Sequence, residues 1–200
     1  YCYIMPTSIL IPTKELCEIF NDSILKAKEV AEEDKEIYDI QLINSLLQLE
    51  NKEKVMEIIT KLNPGRNKYV KDEVMNRLKK YRLTKETLEA FKNSLSSFVG
   101  SKNFHNYTIR LEPNDPSARR YIKSFVCGDP FLSENGLEFI KLTISGQSFM
   151  LHQIRKMVAM SIDLVRLQAS HQVLIRSFSF DKVSFGKAPG AGLYLDKLFF

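Results

Sequence analysis

The stretch of sequence that decides the fold is FMLHQIRKMVAMSIDLVRL, at residues 149–167. Its apolar residues cover most of a helical circumference, which is typical of a helix buried in a core. At about 100° per residue, the polar residues share a wedge of about 100°. They are His152, Arg155, Lys156, Asp163 and Arg166. Such a stripe lies either in solvent or in a polar cleft, and periodicity alone leaves both interpretations open.

Arg155 is the informative member of this stripe, because a guanidinium cannot escape burial by losing its proton. If Arg155 is partly buried, it needs a carboxylate or a phosphate as its partner. If it lies on the surface, it needs none. The sequence therefore points to one cation whose surroundings decide whether the helix carries a functional site.

Segments on both sides of this helix alternate between strand and helix patterns. Residues 84–99 and 171–177 have helical spacing, and strand patterns occur at residues 1–5, 107–111, 119–127, 137–145 and 193–199. This mixed order predicts an α+β fold, in which a mixed, mainly antiparallel sheet packs against helices.

Residues 13–80 differ from the rest of the chain. Apolar residues lie three and four apart over residues 14–62, which predicts amphipathic helices that end at Asn63-Pro64-Gly65. The segment contains no cluster that suggests chemistry. We therefore interpret it as a helical insertion, for which the sequence names no protein partner.

Composition and charge restrict the function. The 200 residues are 44% hydrophobic and 26% charged, which is ordinary for a globular protein and excludes a disordered chain. Residues 1–100 carry 16 basic and 16 acidic side chains, and residues 101–200 carry 13 and 8. A pI near 9.0 with this asymmetry suggests a polyanion such as nucleic acid as the partner. A solvated basic surface is the alternative.

The three cysteines, Cys2, Cys17 and Cys127, are far apart, which disfavours a disulfide framework and favours a reducing compartment. No pair of cysteines has the spacing of zinc ligands, so no metal site is predicted. No apolar run approaches the roughly 18 residues of a membrane span. Because the first residue is Tyr1 rather than Met, we expect the chain to be a fragment or a processed form.

The segment GQSFMLHQIRKMV at residues 146–158 resembles the third motif of the TruA-like tRNA pseudouridine synthases, in their eukaryotic nuclear and mitochondrial branch. Other segments resemble the family in the same order: YCYIMPT (1–7), SKNFHNYT (101–108), DPSARRYI (115–122) and KAPGAGLYLDKLFF (187–200). The resemblance covers residues 1–12 and about 81–200, which are expected to form the C-terminal part of a catalytic domain with the pseudouridine synthase fold.

The resemblance implies isomerisation of uridine to pseudouridine within RNA, without a cofactor. The expected substrate is tRNA, with other RNAs left open, and the expected location is the nucleus, with the mitochondrion as the alternative. In the family, an aspartate in an upstream Gly-Arg-Thr-Asp-like motif cleaves the glycosidic bond. These 200 residues contain no such motif, so the chain alone is expected to be inactive. A catalytically inactive RNA-binding paralogue or splice form is the alternative.

The resemblance also implies three catalytic positions. Tyr1 would pack on the target base and assist proton removal at C5, although the family match leaves Tyr3 as an alternative. Arg155 would pair with the catalytic aspartate and keep it ionised. Leu193 would lie against the uracil ring and exclude water, whereas a plain core leucine is the other interpretation.

Six further residues are predicted to contact RNA: Lys102, His105, Asn106, Arg120, His152 and Lys156. Loops held by a rigid scaffold often bind ligands, which favours Lys102, His105 and Asn106, although His105 could be a structural hydrogen-bonding residue. Neighbours on a strand face opposite sides, and the resemblance selects Arg120 over Arg119, with a surface salt bridge as the alternative. His152 could instead orient Arg155 or pack within the core.

Overall fold

The computed structural model describes residues 1–33 and 68–197 of the chain. Its helices are α1 (Thr13–Glu33), α2 (Lys68–Lys80), α3 (Lys85–Ser96), α4 (Gln153–Arg166) and α5 (Gln172–Arg176). Its strands are β1 (Cys2–Pro6), β2 (Gly100–Asn103), β3 (Arg119–Cys127), β4 (Phe131–Leu132), β5 (Glu138–Gly146) and β6 (Leu193–Tyr194). The predicted helices over 34–62, their stop at 63–65 and the end of the last predicted strand lie outside the described residues.

The strands form one sheet in the order β2-β3-β5-β1-β6, and β4 pairs with β5. All the pairings described are antiparallel. Helices α3 and α4 pack against each other, and α3 also contacts β3. The predicted α+β class, a mainly antiparallel sheet with helices, is therefore confirmed.

The core lies between the helices and one face of the sheet. Ile140, Leu142 and Ile144 of β5 are buried, while Lys141 and Thr143 between them are exposed. This alternation is what a strand with one covered face requires. Helix α4 contributes most of its length to the same core, as its apolar circumference predicts.

The chain divides into two compact units, one made of Tyr1–Pro12 with Tyr81–Phe200 and one made of Thr13–Lys80. Within the second unit, α1 contacts α2, and Arg77 forms an ion pair with Asp22 at 3.1 Å. All strands of the sheet belong to the first unit, and the candidate site described below lies there.

A carboxylate joins two distant parts of the first unit. Glu138, at the start of β5, accepts hydrogen bonds on Oε1 from the Thr7 hydroxyl and from the Leu83 backbone N–H, each at 2.8 Å. Thr7 follows β1, and Leu83 precedes α3. Because Thr7 is only 1% exposed, its hydroxyl has little access to water in place of this partner.

Glu138→Ala is expected to lower the free energy of unfolding by about 2 kcal/mol, since two hydrogen bonds to a charged acceptor are lost. Denaturant titration measures the change. Glu134→Ala is the matched control, because it removes the same charge from an exposed turn residue nearby and is expected to cost less than about 0.5 kcal/mol. Equal effects of the two substitutions would show that the Glu138 hydrogen bonds contribute little.

The predicted strand at residues 107–111 is wrong. Tyr107 ends a 3-10 turn, His105–Tyr107, and its fully buried ring packs among several aromatic rings instead of joining a ladder. Arg110 has a φ of 58°, which a strand cannot contain. The strand in this region is β2, which begins at Gly100 with a φ of 97°, a conformation that glycine adopts without strain.

The decisive helix begins four residues later than its periodicity suggests. His152 has a φ of 66° in the left-handed region, so the helix cannot continue through it, and α4 starts at Gln153. Residues 149–152 form a turn ahead of the helix. This turn supplies one wall of the pocket described next.

Candidate functional site

A pocket of about 400 Å³ lies where β1, β6 and the first turn of α4 meet. It contains all three residues for which the resemblance implies catalytic positions: Tyr1, Arg155 and Leu193. The other lining residues come from the turn before α4, its first two residues and the loop before β6: Phe149, Met150, Leu151, His152, Gln153, Ile154 and Gly190. Neighbouring strands and one helix terminus therefore bring together residues that are up to 192 positions apart.

Strand pairing fixes Tyr1 at the rim of this pocket. The Tyr1 backbone nitrogen donates to the Ile144 carbonyl at 3.0 Å, and the Ile144 N–H donates to the Tyr1 carbonyl at 2.9 Å. The ring of Tyr1 stands edge-on to Phe149, with centroids 5.4 Å apart. Its residue exposure is 37%, so the ring is held in place and still accessible to a ligand.

The structure separates the two tyrosines between which the sequence could not choose. Tyr3 is 2% exposed and donates its hydroxyl proton to the Pro189 carbonyl at 2.8 Å. Burial raises the pKa of the Tyr3 phenol, while the nearby Arg155 charge opposes this effect. Tyr1 lines the pocket, and Tyr3 holds the loop before β6 against β1.

Leu193 is placed by the short pairing of β6 with β1. Its Cα partner in the ladder is Tyr3, and its side chain is half-buried at the pocket wall. Gly192, the preceding residue, lies so close to β1 that an added Cβ would overlap the Ile4 carbonyl oxygen and come within 3.0 Å of the Tyr3 ring. A residue without a side chain is therefore required at this crossing.

Arg155 lies in the first turn of α4 and is half-buried. Its Nε donates to the Ala188 carbonyl at 2.6 Å, and the Ala188 N–H donates to the Arg155 carbonyl at 3.0 Å. A Cβ at Gly190 would lie 3.6 Å from the guanidinium carbon. In the described parts of the chain, no carboxylate lies within 4 Å of this guanidinium. The hydrogen bond to Ala188 fixes the position of Arg155 Nε. The two terminal nitrogens of the guanidinium still have N–H groups that can donate to an anion.

His152, which precedes α4 and lines the same pocket, lies among several cations. His152 Nε2 lies 3.4 Å from Lys187 Nζ. Partial burial lowers the pKa of His152, and the charges of Lys187, Arg155 and Lys156 lower it further. These effects favour the neutral form of the His152 imidazole.

Lys156 has a structural role. Its ammonium group donates to the carbonyls of Asn106 at 2.7 Å and Thr108 at 3.2 Å, and it lies 5.0 Å from the centre of the Phe185 ring. Burial and the charge of Lys187 lower the pKa of Lys156. Because its donors are engaged within the fold, the geometry does not support the prediction that Lys156 contacts RNA.

The predicted RNA contacts of His105 and Asn106 are likewise unsupported, because these residues are 4% and 7% exposed. Asn106 Nδ2 donates to the carbonyls of Ser177 at 2.9 Å and Asp181 at 2.8 Å, and its Oδ1 accepts from the Val183 N–H at 3.0 Å. His105 Nε2 lies 3.2 Å from the Asp181 carbonyl oxygen. Both residues hold the segment that follows α5.

Lys102 and Arg120 are Cα partners across β2 and β3, and neither lines the pocket that holds Arg155. Lys102 Nζ lies 5.6 Å from the centre of the Phe178 ring. Arg120 donates through Nη1 to the Arg119 carbonyl at 3.0 Å, and its Nε is buried without a hydrogen-bond partner. Their strands, β2 and β3, are separated from β1 in the sheet order.

Sequence reasoning missed the contribution of the backbone and of buried amides. Gln153 is fully buried, and its Oε1 accepts from the Met150 N–H at 2.9 Å, which stabilises the turn before α4. The two glycines in KAPGAG are a sequence signal that the backbone passes close to another segment. Only the pairing of β6 with β1 shows that Gly192 is the glycine that this close approach requires.

Two kinds of feature are absent from the part of the chain that the structure describes. No group of three or more His, Cys, Asp or Glu side chains there could hold a metal ion. Among the described helices, none combines the length and apolar character needed to cross a membrane. Cys2 and Cys127 are buried and free.

Comparison with known proteins gives one family. The model of the tRNA pseudouridine synthase family matches residues 95–200. The mouse pseudouridylate synthase 1 homolog is 48% identical over 120 residues, 60% of this chain and 28% of the mouse protein. The tRNA pseudouridine synthases 1 of Kluyveromyces lactis and Saccharomyces cerevisiae are 30% and 31% identical over 98% of this chain. The chain spans only 38% and 39% of these two relatives.

Proposed function

Because the chain belongs to the tRNA pseudouridine synthase family, we propose that the full-length protein converts uridine to pseudouridine in tRNA. The observation that carries this proposal is the pocket in which Arg155, Tyr1 and Leu193 meet. An arginine fixed by a loop, an accessible aromatic ring and an apolar wall are the parts that a turned-out pyrimidine requires.

Arg155 is proposed to act on a carboxylate supplied by the part of the full-length protein outside these 200 residues. A cation within roughly 4–6 Å keeps a carboxylate ionised. The ionised aspartate breaks the bond between C1′ of the ribose and N1 of uracil. The electron pair of that bond leaves with the uracil, which then rotates. C5 bonds to C1′ and the aspartate is released, and the proton lost from C5 is balanced by one taken up at N1. Because Arg155 Nε is already bonded to Ala188, its terminal nitrogens meet the carboxylate with little reorganisation.

Tyr1 and Leu193 are proposed to hold the base. A flipped base loses stacking worth a few kcal/mol, and an aromatic platform offsets part of that cost. The Tyr1 ring is held by Phe149 at the pocket rim, where such a platform is accessible. Leu193 covers the other side of the ring and excludes water, which would otherwise compete at C1′.

The proposal is tested with the full-length protein and tRNA labelled with tritium at uridine C5. Release of tritium, with pseudouridine found on nucleoside analysis, is the expected result. If tRNA binds in a salt-sensitive manner but no tritium is released, the inactive RNA-binding paralogue or splice form is the correct description. The same assay on other RNA classes defines the substrate range.

Tyr1→Ala is expected to lower kcat/KM by about tenfold, because stacking on an aromatic ring contributes about 1–3 kcal/mol per base. Tyr1→Phe keeps the ring and is expected to recover most of this loss. Tritium release measures both variants, and Tyr194→Phe, an exposed tyrosine on β6, is the control. A Tyr1→Phe variant as slow as Tyr1→Ala would assign the hydroxyl to proton removal at C5.

The family resemblance to the eukaryotic nuclear and mitochondrial branch supports the nucleus as the proposed location. Fluorescence microscopy of the full-length protein tagged at its C-terminus tests this assignment. Signal confined to mitochondria would replace the nuclear proposal with its alternative.

A further inference from the structure

A second pocket, of about 600 Å³, lies at the β2 edge of the sheet. Its lining includes side chains from the end of α3, from β2 and β3, and from α5 and the residues that flank it: Ser97, Lys102, Arg119, His171, Phe178 and Phe180. These residues include a lysine, an arginine and two phenylalanines, and no lining residue is acidic. A volume of this size is typical of small-molecule sites.

The two cations in this pocket lack carboxylate partners. Several surface cations of the same unit form ion pairs: Lys92 with Glu89 at 3.0 Å, Arg176 with Asp181 at 3.3 Å and Lys182 with Glu112 at 2.9 Å. By contrast, the described residues place no carboxylate within 4 Å of Lys102 or Arg119. Two unpaired cations on adjacent strands favour an anion as the missing partner.

The aromatic residues differ in exposure. Phe178 is held in the core by Phe98, Phe104 and Tyr107, with ring centroids 5.5–5.7 Å apart. Lys102 lies over its ring. Phe180, two residues further on, is 69% exposed. A large apolar ring left in water beside two cations suits a ligand that carries both a planar ring and a negative charge.

Ser97 and His171 complete the polar lining. The Ser97 hydroxyl lies 3.0 Å from His171 Nε2, which links the end of α3 to the start of α5. Hydroxyl and imidazole groups at this position can exchange hydrogen bonds with the edge of a base or with a ribose hydroxyl. The pocket therefore offers charge, stacking and hydrogen bonding within one volume.

We propose that this pocket binds one unpaired nucleotide of the RNA substrate, with its phosphate attracted by the two cations that line the pocket, Lys102 and Arg119, and its base on Phe180. The proposal rests on the proposed function for the identity of the RNA. Strand β2 lies three strand spacings from β1, roughly 14 Å across the sheet. The nucleotide held here is therefore a different one from the uridine at Arg155.

The charged half of the pocket is tested in the full-length protein by titrating tRNA at several salt concentrations. The double variant Lys102→Ala/Arg119→Ala is expected to bind about tenfold more weakly than wild type. The slope of log K against log salt is expected to fall by roughly 0.7, the value for one single-strand phosphate. Lys92→Ala/Lys182→Ala, which removes two cations that form ion pairs, is the matched control.

The aromatic half is tested with Phe180→Ala, which is expected to weaken tRNA binding by about tenfold at every salt concentration without changing the slope. Phe180→Trp, which keeps a stacking surface, is expected to restore binding. Phe131→Ala, at another exposed phenylalanine (44%), is the control. The proposal is overturned if the Lys102/Arg119 and Phe180 variants bind tRNA as their controls do.

Turnover separates this proposal from the proposed function. At saturating tRNA, the pocket variants are expected to release tritium at the wild-type rate, because the pocket does not touch the reacting base. If the wild-type protein releases no tritium and its tRNA binding still depends on these three residues, the proposed function fails and the nucleotide pocket stands. If turnover is normal and tRNA binding does not depend on the three residues, the proposed function stands and the nucleotide pocket fails.

Discussion

Replacing Arg155 by alanine in the full-length protein is expected to lower kcat by about 100- to 1,000-fold, the range for loss of one fixed electrostatic partner at a reaction centre. The affinity for tRNA is expected to change little, since one guanidinium is a small part of a large polyanion interface. Single-turnover tritium release, with binding measured separately, gives both numbers.

Arg155→Lys is the informative companion variant. Lysine keeps the charge, but it lacks the planar fork that holds the Ala188 carbonyl and the terminal nitrogens in one plane. Partial recovery of kcat is therefore expected. A fall in tRNA affinity with an unchanged rate at saturation would contradict the role assigned to Arg155 and place it in the RNA interface.

Gly192→Ala is expected to lower the free energy of unfolding by roughly 3 kcal/mol, at the upper end of the usual cost of overpacking. The added methyl group would overlap the carbonyl oxygen of Ile4 and press on the ring of Tyr3. Moving the Ile4 backbone or the buried Tyr3 ring would cost considerable free energy. The methyl group is therefore expected to push β6 away from β1. Thermal or denaturant unfolding measures this loss.

Gly190→Ala is the control from the same 3-10 turn, Gly190–Gly192. Its Cβ would meet the Arg155 guanidinium at 3.6 Å, an ordinary van der Waals distance. The expected change in unfolding free energy is below about 0.5 kcal/mol. If the two alanine variants were equally stable, β6 would be far less constrained by β1 than the contact distances indicate.

Regular elements with a strong local pattern were predictable from the sequence. The predicted strand at 119–127 coincides with β3, and the one at 137–145 is displaced by one residue from β5. Thr84, a residue type that favours the N-cap position, caps α3 and accepts from the Thr87 N–H at 3.2 Å. In each case the alternation or the cap is encoded within the segment itself.

Other features depended on partners far away in the sequence. Tyr107 and its neighbours have side chains that favour strands. The Tyr107 ring instead packs against Phe98 and Phe178 in the core, and its backbone forms no strand. Helical periodicity could not show that His152 adopts a left-handed backbone. Such choices are made by tertiary packing, which overrides local propensity.

The same distinction applies to the site. Arg155 could be singled out because its charge is permanent, and the structure places it beside Tyr1 and Leu193. The predicted RNA contacts of His105 and Asn106 rest on the rule that loops held by a rigid scaffold often bind ligands, whereas both side chains are buried in the structure. Their burial follows from the segment after α5, whose carbonyl and N–H groups need hydrogen-bonding partners.

The paired hydrogen bonds between Arg155 and Ala188 couple the loop to the helix at two atoms of each residue. In the proposed reaction, a substitution in the loop is therefore expected to change the rate by reorienting the guanidinium of Arg155.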